Sequence, residues 1–173
     1  MMLRLVFCLS LLGLVFADEL PDETKLKGPL AVFSQYLGNW ESHTTLGKSQ
    51  WIKEEFKFVG DSYSEAIVKG RFIEINYKGQ FYQSRAILGW NRDEKIYERW
   101  VFSSDGKTQY WTGSWDEENQ QFTWELNDPT EKFKGSLVET FVAEDNLQSH
   151  FQIINLAGDV LMEAKSELIL LHR

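Results

Sequence analysis

The sequence predicts an all-β protein, an antiparallel up-and-down barrel of about ten short strands behind a short N-terminal helix. Three observations predict it. From Trp40 onward apolar and polar residues alternate with period two, in short runs. The runs end at tight-turn residues such as Lys78-Gly79, Asn91-Arg92-Asp93, Asp105-Gly106 and Asp116-Glu117-Glu118-Asn119. Aromatic residues make up 14% of the chain, and they suit the half-buried, pleated surface of a sheet.

Taken in order, the chain opens on Met1–Arg4, with one positive side chain, and on an apolar run from Leu5 to Phe16. That run is too short to span a bilayer as a helix. Val15-Phe16-Ala17 then supplies a signal-peptidase pattern, so residues 1–17 read as a signal peptide cleaved before Asp18. The expected location is secreted or periplasmic. Residues 18–28 are polar and aperiodic and read as a flexible lead-in. The barrel domain is expected over 29–173. It opens on Pro29 and a helically spaced set, Leu30, Phe33, Tyr36 and Leu37, stopped by Gly38.

The period-two runs place strands at 39–46, 50–58, 62–69, 71–77, 80–90, 95–103, 107–115, 120–127, 132–143, 147–155 and 160–170, with the two pieces around Gly70 read as one bent strand. No helical crossover separates them, so the sheet is antiparallel. Closing the last strand on the first removes both exposed edges, which favours a barrel over a sandwich.

Composition narrows the function. Only Cys8 is present, inside the leader, so the mature chain has no disulfide and no thiol nucleophile. The net charge of −8 repels phosphate backbones, which argues against nucleic acid as a partner. Beyond the leader no segment is apolar enough to be an integral membrane helix.

Leu37-Gly38-Asn39-Trp40-Glu41 resembles the opening Gly-x-Trp of lipocalin-like (calycin) proteins, whose Trp packs across the closed end of the barrel. Ile87-Leu88-Gly89-Trp90-Asn91, Lys95-Ile96-Tyr97, Trp100 through Asp105-Gly106, Gly113-Ser114-Trp115-Asp116 and Leu156-Ala157-Gly158-Asp159 resemble a bacterial domain-of-unknown-function family grouped with the calycins. The resemblance implies a barrel and a bacterial, exported protein. It implies no activity.

The sequence holds no Gly-x-Ser-x-Gly elbow, His-Glu-x-x-His helix, phosphate-binding loop or EF-hand loop. No catalytic residue is assigned. His43, His150 and His172 are scattered, although His43 and His172 fall on strands that closure makes neighbours. No metal site and no cofactor are therefore expected. Nitrobindin-type barrels hold haem through one histidine on a late strand. His150 occupies such a strand, opposite the more apolar Leu147, Phe151 and Ile153 face.

Of the strand acids Glu98, Glu125, Glu139 and Glu163, Glu98 stands out because it shares a face with Ile96, Trp100 and Phe102. The others read as the wet face of the sheet. Arg85 is the cation expected to pair with Glu98 inside the barrel, either orienting a polar ligand group or satisfying itself. Trp100, Tyr110, Trp111, Trp115 and Trp124 fall on consecutive strands. The expected ligand-binding residues are thus Arg85, Glu98, Trp100 and Trp124. The expected function is non-enzymatic binding of a small apolar or amphipathic molecule in an aromatic-lined barrel. A structural module with a filled core, a haem-binding barrel and a hydrolase using in-barrel acids are the alternatives.

Overall fold

A computed structural model describes residues 25–173. The expected cleavage after Ala17 and the Cys8 region lie outside the described residues. A 3-10 helix, Gly28–Tyr36, leads into ten strands: β1 Gly38–Leu46, β2 Phe56–Ile67, β3 Phe72–Gly79, β4 Gln83–Asn91, β5 Ile96–Ser103, β6 Thr108–Asp116, β7 Gln121–Leu126, β8 Phe133–Ala143, β9 Asn146–Asn155 and β10 Val160–His172. Each pairs antiparallel with its sequence neighbour, and β10 closes on β1 from Asn39↔His172 to Leu46↔Ala164. The described part is thus a closed ten-stranded up-and-down barrel.

Turn chemistry fixes most strand ends. Asn91 Oδ1 accepts the amides of Asp93 and Glu94, and Lys95 at φ 56° closes that turn. Asp116 repeats the device with Glu118 and Asn119, ahead of Gln120 at φ 49°. Short polar side chains that accept nearby amides make such tight reversals favourable.

Three expectations need correcting. The strand pieces 50–58 and 62–69 are not separated at Gly60-Asp61, because β2 runs straight through them. Gly60 faces inward there, and a Cβ on it would run into the Tyr77 ring. The glycine admits a ring from the next strand rather than making a turn. Gly70 marks no bend within a strand. With Val68 and Lys69 it forms a left-handed hairpin turn between β2 and β3. Leu26 belongs to the core, so packing begins within the stretch read as lead-in.

The barrel has two unlike ends. The 68–71, 92–95, 117–120 and 144–145 turns share one end with the 3-10 helix, and aromatic rings seal it. Phe33 and Tyr36 from the helix meet Tyr97, Phe122 and Phe141, with centroids 4.9–6.1 Å apart. Trp40 is buried and donates its indole N–H to the Tyr36 carbonyl at 2.8 Å, tying β1 to the helix end. The 47–55, 80–82, 104–107, 127–132 and 156–159 loops surround the opposite end, the mouth.

Candidate functional site

Strand alternation sends Tyr97, Arg99 and Val101 of β5 inward, and Glu98, Trp100 and Phe102 outward. On β8 it sends Leu137, Glu139 and Phe141 inward. On β7 it sends Phe122 and Trp124 inward. A charged pair therefore stands inside the barrel, immediately above the aromatic seal.

Glu139 is buried and accepts from three side chains. Tyr36 Oη donates to its Oε2 at 2.6 Å and Trp124 Nε1 to the same oxygen at 2.8 Å. Arg99 Nη1 lies 3.1 Å from both carboxylate oxygens. The Arg99 guanidinium carbon also sits 5.9 Å from the Trp124 ring centroid, a cation–π distance. Burial, followed by the adjacent Glu139 charge, pushes the Tyr36 phenol well above its ordinary value. Tyr36 thus remains a neutral donor to the carboxylate. Gly113 on β6 makes room for this arrangement, since a Cβ there would collide with the Trp124 ring.

Arg99 is incompletely satisfied. Its Nε is buried without a hydrogen-bond partner, while its side chain as a whole keeps 16% exposure. Buried polar atoms are seldom left unpaired, so this one invites an explanation.

Toward the mouth the interior changes character. Ile75, Tyr77, Leu126, Phe133, Phe151 and Met162 all point inward yet stay half-buried. The β1–β10 wall is hydroxylated: Thr44 Oγ1 bonds Ser42 at 3.1 Å and Ser166 at 2.8 Å. Apolar side chains ring the rim. Phe81 is 70% exposed and lies tilted against Phe56, which stacks on Phe58. Trp51 meets Phe133 edge-on at 5.6 Å, carried there by a loop whose Gly47, Gln50 and Trp51 amides bond the start of β10.

The expected site residues are dispersed. Trp124 is in the interior, but packed completely and engaged by Glu139. Trp100 faces outward, stacked on Tyr110 at 5.6 Å, in a groove of about 950 Å³ beneath the 127–132 loop that reaches Leu126 and Phe133 at the mouth. Glu98 is on the same outer face and accepts from Tyr110 at 2.7 Å and Asn91 at 3.0 Å. Partial burial and that hydrogen bond push the Tyr110 phenol up to about 12. Arg85 is 60% exposed outside and pairs with Glu74 at 3.0 Å. The internal Arg85–Glu98 pair is therefore not formed; Arg99 and Glu139 form the internal pair instead. His150 faces outward against Glu163 at 2.7 Å. His43 lies opposite Glu167, and His172 opposite Asn39. Among the described residues no group of three or more His, Cys, Asp or Glu could hold a metal ion.

The chain matches no family model and no curated protein by sequence. Its fold is found among solved structures. Rv2717c from M. tuberculosis superposes with a TM-score of 0.62 at 18% identity, over 85% of this chain and 99% of that one. The S-type phycobiliprotein lyase CPES from Guillardia theta superposes with a TM-score of 0.55 at 11% identity, over 82% of this chain and 91% of that one. At these identities the likeness is one of fold. The protein is a lipocalin-like barrel with a sealed end, an internal ion pair and an aromatic mouth.

Proposed function

We propose that this barrel binds a small amphipathic molecule in the mouth half of its interior, without transforming it chemically. The observation that carries the reading is the contrast along the barrel axis. Below the Arg99–Glu139 pair the aromatic rings are sealed, whereas above it Ile75, Tyr77, Leu126, Phe133, Phe151 and Met162 stay half-buried among the buried Val101, Leu137 and Ile153. Apolar surface left uncovered inside a barrel is surface a ligand can bury. The solved relatives support the fold in which such a pocket forms, including one that is a phycobiliprotein lyase.

A hydrolytic role for an in-barrel acid is less well supported. Glu139 is the interior acid, and Tyr36, Trp124 and Arg99 occupy its acceptor sites. A carboxylate so engaged is a poor proton acceptor. A haem reading loses its ligand, because His150 faces outward and is bonded to Glu163. We also propose export, on the order of charged start, apolar run and Val15-Phe16-Ala17. Intact-mass analysis of secreted material tests this, with Asp18 expected as the first residue.

The binding reading is tested by screening fatty acids, retinoid-like compounds and tetrapyrroles for a rise in melting temperature. A ligand at about 100 times its Kd stabilises the native state by about 2.7 kcal/mol. That corresponds to a shift of roughly 5–10 °C for a domain of this size. No shift with any compound supports the filled structural module instead.

A further inference from the structure

We infer that the ligand carries a single carboxylate, which seats on Arg99 at the floor of the mouth half of the barrel. The inference rests on the binding reading above and adds the chemical class of the ligand.

Arg99 is the one cation that strand alternation points inward among the described strands. A guanidinium offers five N–H donors in a fixed fork. Nη1 alone serves both oxygens of Glu139, so the edge formed by Nε and Nη2 carries no protein acceptor, and a ligand reaches it by displacing the side chains packed over Nε. Nε is buried and unpaired, one of two such side-chain atoms among the described residues. The spacing of two parallel N–H groups along that edge matches the two oxygens of a carboxylate.

Charge favours an anion at this place. Glu139 is held by Tyr36 and Trp124 as well as by Arg99, so two neutral donors already share in balancing its charge. Arg99 is correspondingly less neutralised than in a simple one-to-one pair. A doubly charged phosphate head would stand too close to Glu139, and a cation would face Arg99 directly. A monoanion suits both neighbours. Above Arg99, Val101, Leu126, Phe133, Phe151 and Ile153 supply the apolar wall for a hydrocarbon tail leading to the mouth.

The test uses the full chain and probes of equal tail length: laurate, dodecanol, dodecyl phosphate and dodecylamine, with affinities measured by calorimetry. Laurate is expected to bind at least about tenfold more tightly than dodecanol, as a charge-assisted bond requires. The phosphate and the amine are expected to bind more weakly than laurate. Carboxyl-13C laurate in the complex is expected to keep its ionised chemical shift from about pH 7 to about pH 5, because a cationic partner favours the charged form. In Arg99→Met, laurate and dodecanol are expected to bind alike. Should that variant not fold, the wild-type head-group comparison and the 13C shift decide the matter. Equal wild-type binding of laurate and dodecanol would overturn the carboxylate anchor while leaving the binding reading intact. A laurate preference that persists in Arg99→Met would overturn it as well, by placing the carboxylate elsewhere. Binding of none of the four would overturn the carboxylate anchor, and the wider melting-temperature screen then decides the binding reading.

Discussion

Arg99 and Glu139, on strands β5 and β8, meet inside the barrel with one guanidinium nitrogen 3.1 Å from each carboxylate oxygen. Tyr36 and Trp124 bind the same carboxylate, so the pair links the N-terminal 3-10 helix to three strands of the barrel. Removing either ion leaves the other buried and uncompensated.

Arg99→Met and Glu139→Gln are each expected to lower stability by about 3–5 kcal/mol, the usual penalty for breaking a buried pair from one side. The double variant is expected to cost less than the sum, since no lone charge remains. Urea unfolding of the four proteins measures the coupling. Additive losses would show that the two side chains act independently.

Tyr36→Phe removes a 2.6 Å bond to a buried charge, and a loss of about 1.5–3 kcal/mol is expected. The phenol also governs alkaline behaviour. Its folded pKa is raised above the unfolded value of 10.0, so its contribution is fully present below pH 10 and is lost as pH rises from there through the folded pKa. Spectrophotometric titration is expected to show one phenol ionising only as the barrel unfolds, and Tyr36→Phe should remove that component.

Gly113→Ala places a methyl group against the Trp124 ring. Overpacking of this kind costs about 1–3 kcal/mol. The indole N–H signal of Trp124, bonded to Glu139, is expected to shift in the variant's NMR spectrum. An unchanged signal and unchanged stability would mean that the ring moves freely.

Asp128 organises the loop beside the outer groove. It accepts the amides of Thr130, Lys132 and Phe133, and these bonds, with the Thr130 hydroxyl, hold its carboxyl below the usual carboxylate value. A depressed carboxyl stabilises the fold above its unfolded pKa and loses that effect as pH falls through the folded one. Lower amide protection factors at Thr130, Lys132 and Phe133 are expected in Asp128→Ala, and in the wild type below about pH 4.

The architecture was legible because period-two runs and turn residues are local signals. Strand faces were less so. On β5 the outward Ile96, Trp100 and Phe102 are as apolar as the inward Tyr97 and Val101: Trp100 stacks on Tyr110, while Phe102 stays exposed. Alternation fixes which residues share a face, not which face is inside. Glu139 could have been found: it lies between Leu137 and Phe141 on the more apolar face of β8, the same test that singled out Glu98. Its partner could not, since Arg99 is 40 residues away and only the closed barrel brings the two together. Gly60 misled because a glycine that admits a ring reads in sequence like a glycine that turns the chain.

The most direct measurement of ligand binding inside the barrel is NMR of the tryptophan indole N–H groups during titration with laurate. Trp111 points inward beside Phe151, Trp51 stands at the mouth against Phe133, and Trp100 lies in the outer groove. The expected result is saturable movement of the Trp111 signal with Trp100 unmoved; Trp51, which packs on Phe133 at the rim shared with the groove, is expected to follow Trp111. Movement confined to Trp100, or no movement at all, would contradict binding within the barrel.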